Sequence, residues 1–265
     1  MLNLPRSGRE SKENEIREYY RTLHNAWGAQ HWWPAETPFE VIVGAYLTQN
    51  TAWTNVERAL ANLRNADLLS VDGIRQVRLS RLERLIRSSG YFRQKARRLK
   101  TFVAFLDKKY DGSLDRLFRQ PTERLREELL SLNGVGPETA DSILLYAGSH
   151  PVFVVDAYTR RILNRHEILP EKTDYEDIRN LFEHALAPIA TKQENARQHT
   201  PLSAPPLESG FRAHPPSAMS TAHRTALAQV YNEMHGLIVG VGKHHCGKSQ
   251  PKCDGCPLQR FLPGR

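Results

Sequence analysis

The stretch LNGVGPETAD, residues 132–141, decides the fold because it joins two helical patterns through a tight turn that contains glycine. An amphipathic run from Thr122 to Leu132 leads into it, and an apolar run at 143–147 leads out of it. Two glycines around one small apolar residue allow a sharp turn whose backbone N–H groups face outward. Pro137 suits the first turn of the second helix, where its missing N–H removes no hydrogen bond. The stretch therefore predicts a helical hairpin whose amides can bind a phosphate oxygen.

Helical periodicity also dominates the sequence on both sides of this hairpin. Leu82, Leu85 and Ile86, for example, recur at steps of three and four residues. The strand-like stretch Val152–Val155 has only four residues and is interpreted as a buried, extended connector. No repeat with a period of roughly 20–50 residues is evident, which excludes a solenoid. The sequence predicts an all-α protein.

The composition excludes several classes of protein and indicates the charge of the partner. The 265 residues carry 37 Lys and Arg against 29 Asp and Glu, a formal net charge of +8 that indicates a polyanionic partner. No apolar stretch is long enough for a transmembrane helix, and residues 1–15 lack the apolar core of a secretory signal. The three cysteines fall within ten residues of one another near the C-terminus and cannot form a paired disulfide framework. We expect a cytoplasmic protein with no membrane association.

One segment departs from the helical pattern. Residues 190–220 contain five prolines among Ser, Thr, His and Gln. Such a composition cannot bury enough apolar surface to offset the entropy lost on ordering. The sequence predicts a mobile surface insertion here, followed by a helix at about 223–241.

A carboxylate follows the hairpin in the stretch VVDAYTRR, residues 154–161. Its position between an apolar run and a new helix is typical of an N-cap, here for a helix over 157–164. A hairpin followed by this V-D-x-x-x-R-R arrangement also resembles the endonuclease III superfamily of helix-hairpin-helix DNA glycosylases. The resemblance extends over about 36–256, apart from the proline-rich insertion. It implies that Asp156 is the catalytic carboxylate, which stabilises positive charge on the sugar and orients or deprotonates the attacking water.

The same resemblance implies a role in base excision repair of double-stranded DNA. The target base must leave the helix stack, and the hairpin holds one strand by its backbone. The hairpin residues expected at the DNA are Asn133, Gly134, Val135, Gly136 and Thr139. Relatives that also cut the backbone carry a lysine at the position of Glu138, and that lysine forms a Schiff base with the sugar. Glu138 cannot do so, which favours a monofunctional glycosylase that uses water.

Aromatic residues indicate a base pocket. Trp32, Trp33 and Trp53 lie within 22 residues of one another, and core packing is the plain interpretation of such a cluster. However, W-W-P followed by G-A-x-L-T-Q-N-T and an aromatic residue is similar to the 3-methyladenine DNA glycosylase III branch of the superfamily. There the aromatics line the pocket, and electron-rich ring faces stack on a cationic alkylated base.

Two further residues are expected at the DNA by the same resemblance. Gln49 matches the residue that fills the gap left by the flipped nucleotide; without that context it is a polar residue at a helix C-terminus. Lys95 lies in a basic run at 93–100 and is expected to contact phosphates, although charge runs are usually a solvated helix face. Lys243 and His235 are interpreted as a solvated lysine and a helix-surface histidine.

The C-terminal cysteines match three quarters of the family's iron–sulfur loop. Cys246, Cys253 and Cys256 keep the spacing C-x6-C-x2-C, but Leu262 stands where the fourth cysteine is expected. Three alternatives remain: a [4Fe–4S] cluster with an external or histidine fourth ligand, with His244 and His245 adjacent; a Cys3His zinc site; or a degenerate loop of reduced thiols. The incomplete ligand set favours the absence of a robust cluster.

We therefore expect two helical lobes with a cleft between them. Residues 36–148 would form one lobe and end in the hairpin, while 1–35 would join 149–265, which holds the insertion at 190–220 and the cysteine loop at 246–256. The expected function is a monomeric, nucleoid-associated, monofunctional glycosylase for alkylated purines. The alternatives are a bifunctional endonuclease III-like enzyme for oxidised pyrimidines and a non-catalytic DNA-binding protein.

Overall fold

The computed structural model describes residues 6–197 and 214–264, and it is helical through most of that length. The α-helices are α1 (Arg6–Trp27), α2 (Pro38–Thr48), α3 (Trp53–Asn65), α4 (Val71–Gln76), α5 (Leu79–Leu85), α6 (Phe92–Tyr110), α7 (Leu114–Phe118), α8 (Thr122–Leu130), α9 (Pro137–Ser142), α10 (Ala157–Arg165), α11 (Tyr175–Arg197) and α12 (Ala226–His244). Single 3-10 turns lie at Arg87–Ser89 and Gln259–Phe261, and a π-helical turn at Ile143–Ala147 continues α9. The described residues contain no β-sheet, which confirms the predicted all-α class. None of the helices in the described ranges is long and apolar enough to cross a membrane.

The chain forms two compact units. The central unit is Ala35–His150, and the terminal unit combines the described residues of Met1–Pro34 and Pro151–Arg265. The sequence placed the corresponding boundaries at 36–148 and 149–265. The two ends of the chain thus contribute to one unit, while the hairpin belongs to the other.

The central unit is built around α2. Thr37 caps this helix through its Oγ1, which accepts from the Glu40 N–H at 3.1 Å, and Pro38 occupies the first turn. The helix reads as an almost unbroken apolar run, and its residues from Phe39 to Leu47 are buried. Helices α3, α6 and α9 pack around it, together with the π-helical turn. An apolar helix buried on every side is what such a sequence predicts.

The terminal unit packs α1, α10, α11 and α12 against one another. The stretch Val152–Val155 crosses it as a buried, extended connector, as the sequence predicts. Two of its backbone N–H groups hydrogen-bond side chains and not a neighbouring strand. The Phe153 N–H donates to the carboxylate of Glu183, and the Val155 N–H donates to the hydroxyl of Tyr175. These bonds satisfy backbone donors that burial would otherwise leave costly. The connector delivers Asp156 to the start of α10.

The expected insertion begins later than predicted. Helix α11 continues through Ala190 and ends at Arg197, so residues 190–197 are helical, and the predicted start at 190 was wrong. Met219 and Ser220, at the other end, are buried within the terminal unit. The rest of the predicted insertion, 198–213, lies outside the described residues. The helix expected at 223–241 is α12, at Ala226–His244.

Candidate functional site

Asp156 is fixed at the start of α10 in the terminal unit. Its Oδ1 accepts from the Thr159 N–H at 2.8 Å and from the Thr159 Oγ1 at 2.9 Å, so it caps the helix. Both donors come from Thr159 and hold the carboxylate against the first turn of α10. The second oxygen, Oδ2, takes no part in the cap. The side chain is 13% exposed, so one carboxylate oxygen is available beside a rigid helix end.

His235 faces that second oxygen from α12. Its Nε2 lies 3.6 Å from Asp156 Oδ2, and the residue is only 4% exposed. The interpretation of His235 as a helix-surface residue was therefore wrong. Burial lowers its pKa, and the charge of Asp156 opposes that shift. A neutral imidazole beside a carboxylate leaves the charge of the carboxylate uncompensated. The sequence held a signal, because a polar residue within a nearly continuous apolar helix needs a polar partner.

Helix α12 also holds the tryptophan segment. Asn232 Nδ2 donates to the carbonyl of Trp32 at 2.5 Å, and the carboxylate of Glu233 accepts from the Gln30 N–H at 2.9 Å. A Cβ at Gly236 would lie 3.0 Å from the Cβ atoms of Trp32 and Gln30, so a larger residue there would require the tryptophan segment to shift away from α12. Burial raises the pKa of Glu233, opposed by the Gln30 N–H and by a nearby arginine. The segment is thus tied to the helix that carries His235.

The structure brings Trp32 and Trp33 together but places Trp53 in the other unit. The two rings meet edge to face, with centroids 5.3 Å apart, and both are buried at 6% and 5% exposure. The ammonium of Lys243 lies 5.6 Å from the centre of the Trp32 ring, within the range of a cation–π contact. Trp53 is half-buried on the first turn of α3, where its Nε1 donates to Glu57 at 2.8 Å.

The hairpin forms in the central unit, as predicted, between α8 and α9. Gly134 adopts φ +80°, which favours glycine, and the Val135 N–H donates to the carbonyl of Leu132 at 3.1 Å. The Val135 amide therefore closes the turn and does not face outward as predicted. Asn133 and Gly136 are exposed, and nothing lies within 4 Å of where a Cβ on Gly136 would be. The backbone at Gly136 is open to an approaching group.

A hydrogen-bond network fixes the tip of the hairpin from inside. The amide of Gln49 donates to the carbonyl of Gly134 at 3.0 Å and to Thr139 Oγ1 at 2.9 Å. Arg98 donates to the Gln49 Oε1 at 2.6 Å. Thr139 is buried, so its side chain supports Gln49 and does not face outward as predicted. The gap-filling role of Gln49 stays a prediction, and it requires these bonds to open.

The prediction that Lys95 contacts phosphates was wrong. The side chain is 1% exposed, and its ammonium donates to the carbonyls of Leu47 and Ser89 and to the hydroxyl of Thr51. Three bonds use all three of its protons. Lys95 therefore ties α6 to the end of α2, whereas its neighbour Arg97 is exposed.

A buried ion pair that no sequence motif indicated joins the two hairpin helices. Arg126 on α8 binds both carboxylate oxygens of Asp141 on α9, at 2.6 and 3.1 Å. Asp141 is completely buried, whereas the neighbouring Glu138 is exposed. Bidentate geometry fixes both distance and direction between two such groups.

The cysteines lie after α12, beside the end of α10. All three line a cavity of about 240 Å³ in the terminal unit, together with Leu262. Arg165 Nη1 lies 3.1 Å from Cys246 Sγ, and the Cys256 N–H donates to the carbonyl of Cys253. Within the described ranges, no three His, Cys, Asp or Glu side chains converge as ligands of a single metal ion would.

Comparison with known proteins gives one consistent family. The family model of the HhH-GPD superfamily base excision DNA repair protein matches residues 43–188. A protein of Methanocaldococcus jannaschii, a DNA repair glycosylase by name, is 40% identical over 255 residues, which are 96% of this chain and 98% of that protein.

Two solved structures are also similar. The Helicobacter pylori 3-methyladenine DNA glycosylase MagIII bound to 1,N6-ethenoadenine is 30% identical, with a TM-score of 0.64 over 87% of this chain and 97% of that one. A trapped covalent endonuclease III–DNA intermediate gives a TM-score of 0.67 over 95% of both chains. At 21% identity, this second likeness shows the fold alone.

Proposed function

Since the chain belongs to the HhH-GPD superfamily of base excision DNA repair proteins and is a DNA N-glycosylase, we propose that it is a monofunctional enzyme that removes alkylated purines from double-stranded DNA. One observation carries the proposal: the terminal unit combines a fixed carboxylate, Asp156, with the paired aromatic residues Trp32 and Trp33. Helix α12 binds both parts, through Asn232 on the tryptophan segment and His235 at the carboxylate.

Asp156 supplies the charge that the reaction needs. Breaking the base–sugar bond develops positive charge on the sugar, and a preorganised carboxylate stabilises that charge. Because Oδ1 is committed to Thr159, Oδ2 is the oxygen that faces the reacting sugar or an attacking water. The Nε2 of His235 lies 3.6 Å from this oxygen. The cap and the catalytic role use different oxygens of the same side chain.

The tryptophans favour a cationic base as the substrate. The ammonium of Lys243 already lies against the Trp32 ring, which indicates a face suited to positive charge. An alkylated purine carries such a charge and would replace the ammonium of Lys243 at the ring. The similar H. pylori enzyme, a 3-methyladenine DNA glycosylase by name, supports the same substrate class.

The hairpin would bind one DNA strand through the exposed backbone at Asn133 and Gly136, with no reading of sequence. We propose that the protein acts as a monomer on the duplex. Exposed arginines of the central unit, including Arg93 and Arg97, would add salt-dependent affinity.

The presence of Glu138 in place of a lysine supports a mechanism in which water is the nucleophile, because a carboxylate cannot form a Schiff base with the sugar. One observation favours the bifunctional alternative. Lys243 places an amine beside Trp32, in the same unit as Asp156. A lyase reaction through Lys243 would form an imine between the lysine and the sugar, and borohydride can trap that imine. Hydrolysis by water forms no such imine.

The test measures base release from methylated duplex DNA by wild type, by Asp156→Asn and by Asp67→Asn, an exposed aspartate that serves as the matched control. We expect free 3-methyladenine from wild type and the control only, with strand breaks only after alkali. Borohydride should trap no covalent product. Trapping that Lys243→Gln abolishes would establish the bifunctional alternative. Salt-sensitive binding with no release of any base would indicate a non-catalytic DNA-binding protein.

A further inference from the structure

Arg98 lies against the tip of the hairpin, within the central unit. The residue belongs to α6 and is half-buried. A Cβ at Gly134 would fall 1.9 Å from the Nε of Arg98 and 2.3 Å from its Cζ, so the guanidinium occupies the space that a side chain at this position would need. Glycine at 134 therefore allows a cationic side chain to approach the backbone of the hairpin closely.

Gln49 sets the direction of this guanidinium. Its Oε1 accepts from the Nη1 of Arg98 at 2.6 Å, while its Nε2 donates to the carbonyl of Gly134 at 3.0 Å and to the Oγ1 of Thr139 at 2.9 Å. The amide thus bridges the arginine and the hairpin. Because a guanidinium is planar, a bond at Nη1 together with packing at Nε fixes the orientation of the whole group.

The charge of Arg98 has no counter-ion in the part of the chain that the structure describes. A guanidinium has five N–H donors, and the bond to Gln49 is the one that Arg98 makes with these residues. The neighbouring cation Lys95 donates to two carbonyls and a hydroxyl, none of which is charged. Burial lowers the pKa of Lys95 to about 8, and the charge of Arg98 contributes to that shift. Two cations that lie close together create a positive potential beside the hairpin.

The edge of Arg98 that carries Nε and Nη2 suits a phosphate. These two nitrogens can bind two oxygens of one phosphate or carboxylate at once. Arg126 uses the same edge on Asp141, at 2.6 and 3.1 Å. Since Nη1 holds Gln49, the Nε and Nη2 edge of Arg98 is the one left for a ligand.

We propose that Arg98 binds a phosphate of the DNA backbone through Nε and Nη2, and that Gln49 is the residue that positions it. The exposed backbone at Asn133 and Gly136 flanks Gly134, so a strand on the hairpin would bring a phosphate to this edge. The inference rests on the DNA binding that the proposed function gives to the hairpin. It gives Gln49 a task on intact DNA, before any base leaves the stack.

The experiment measures the affinity of the full chain for an intact, unmodified duplex over a range of salt concentrations. Arg98→Met should reduce the slope of the logarithm of the binding constant against the logarithm of salt concentration by about 0.9, the value for one phosphate contact. Gln49→Leu should weaken binding several-fold in the wild-type chain and much less in the Arg98→Met chain. Comparing the two backgrounds removes the effect that Gln49 has on the hairpin itself.

Two further variants serve as controls. Lys108→Met removes an exposed charge near the other end of α6, and its effect on affinity should simply add to that of Gln49→Leu. Arg98→Lys keeps the charge but loses the planar edge. It should therefore keep the salt dependence of wild type while it binds more weakly, which also shows that a change at this position leaves the chain folded.

Three results would overturn the inference. They are an unchanged slope in Arg98→Met, an equal effect of Gln49→Leu in both backgrounds, and an affinity of Arg98→Lys equal to that of wild type. The intact duplex contains no damaged base, so these results do not depend on which base the enzyme removes. An unchanged slope with normal release of 3-methyladenine would refute the role of Arg98 alone, whereas the expected slopes without base release would refute the proposed function alone.

Discussion

Asp156 has two roles that a pair of substitutions can separate. It caps α10 through Oδ1 and presents Oδ2 as a charge. Asparagine keeps an oxygen that can accept from Thr159 but carries no charge, whereas alanine removes both. We therefore expect Asp156→Asn to lose activity while it remains folded, and Asp156→Ala to lose activity and stability together.

The sizes of the expected changes in stability and reaction rate follow from the contacts of Asp156. Asparagine caps helices about as well as aspartate, so Asp156→Asn forfeits only the charge–dipole attraction of about 0.3–1 kcal/mol. Asp156→Ala also forfeits the two hydrogen bonds to Thr159, and loss of a cap costs about 0.5–2 kcal/mol. At about 2–4 °C per kcal/mol for a chain of this size, the melting temperature should fall by a few degrees in Asn and by more in Ala. Removal of a carboxylate that acts in the transition state lowers the rate by about 10²–10⁴-fold.

The assay combines thermal melts, DNA binding and single-turnover base release for wild type and the two variants. Asp156→Asn should bind DNA at least as tightly as wild type, because a negative charge near the phosphates is removed. Its base release should fall by at least the lower bound of about 10²-fold. A rate within a few-fold of wild type would refute the catalytic assignment. A loss of activity that only parallels the loss of stability would indicate that Asp156 acts as a helix cap and not in catalysis.

Three other predictions concern the supports of the site. Gly134→Ala should destabilise the protein by about 1–3 kcal/mol in thermal melts, because φ is +80° and the added Cβ would lie 1.9 Å from the Nε of the half-buried Arg98. Gly136→Ala, with open space around the added Cβ, should change the melting temperature little. Arg126→Met removes the bidentate partner of the buried Asp141 and should cost about 3–5 kcal/mol, of which Arg126→Met combined with Asp141→Leu should recover a large part; no recovery would contradict the ion-pair argument. Burial lowers the pKa of His235 below its usual value near 6.5, so in acid the unfolded chain binds a proton that the folded one does not. The neutral His235 contributes its full stability above about pH 6.5, and this contribution declines as the pH falls below that value. In thermal melts, His235→Asn should therefore lose less stability in acid than wild type does. The same dependence of melting temperature on pH in both proteins would contradict the assignment of a buried, neutral His235.

Local signals made much of the fold predictable. Thr37, Pro38 and the glycines of the hairpin act on their own neighbours within three or four residues, and the structure places helix starts and the turn where those residues require them. Asp156 is the clearest case, since the apolar run before it and the helix after it fix its position as a cap. Its proximity to the tryptophan segment has no local signal, because that contact depends on α12.

Lys95 shows a signal that was present and missed. The buried positions of α6 include Lys95, Leu99, Phe102 and Leu106, which follow steps of three and four residues. Lys95 therefore lies on the apolar stripe of the helix, although its sequence neighbours are basic. Its position in the helical period, and not the local charge, determined whether it reached solvent. Its acceptors, at Leu47, Thr51 and Ser89, could not be found from period alone because they come from other elements.

The terminal unit places its site where no local pattern can complete it. Trp32 precedes the central unit in sequence, Asp156 follows it, and His235 arrives some eighty residues later on α12. Asn232 on that last helix hydrogen-bonds the carbonyl of Trp32, and His235 on the same helix lies beside Asp156. The polar residues within an otherwise apolar helix are therefore the ones that assemble the site. It follows that the carboxylate and the aromatic pair acquire their mutual positions only when α12 packs. Substitutions that weaken the packing of α12 should therefore impair the site even where Asp156 still caps α10.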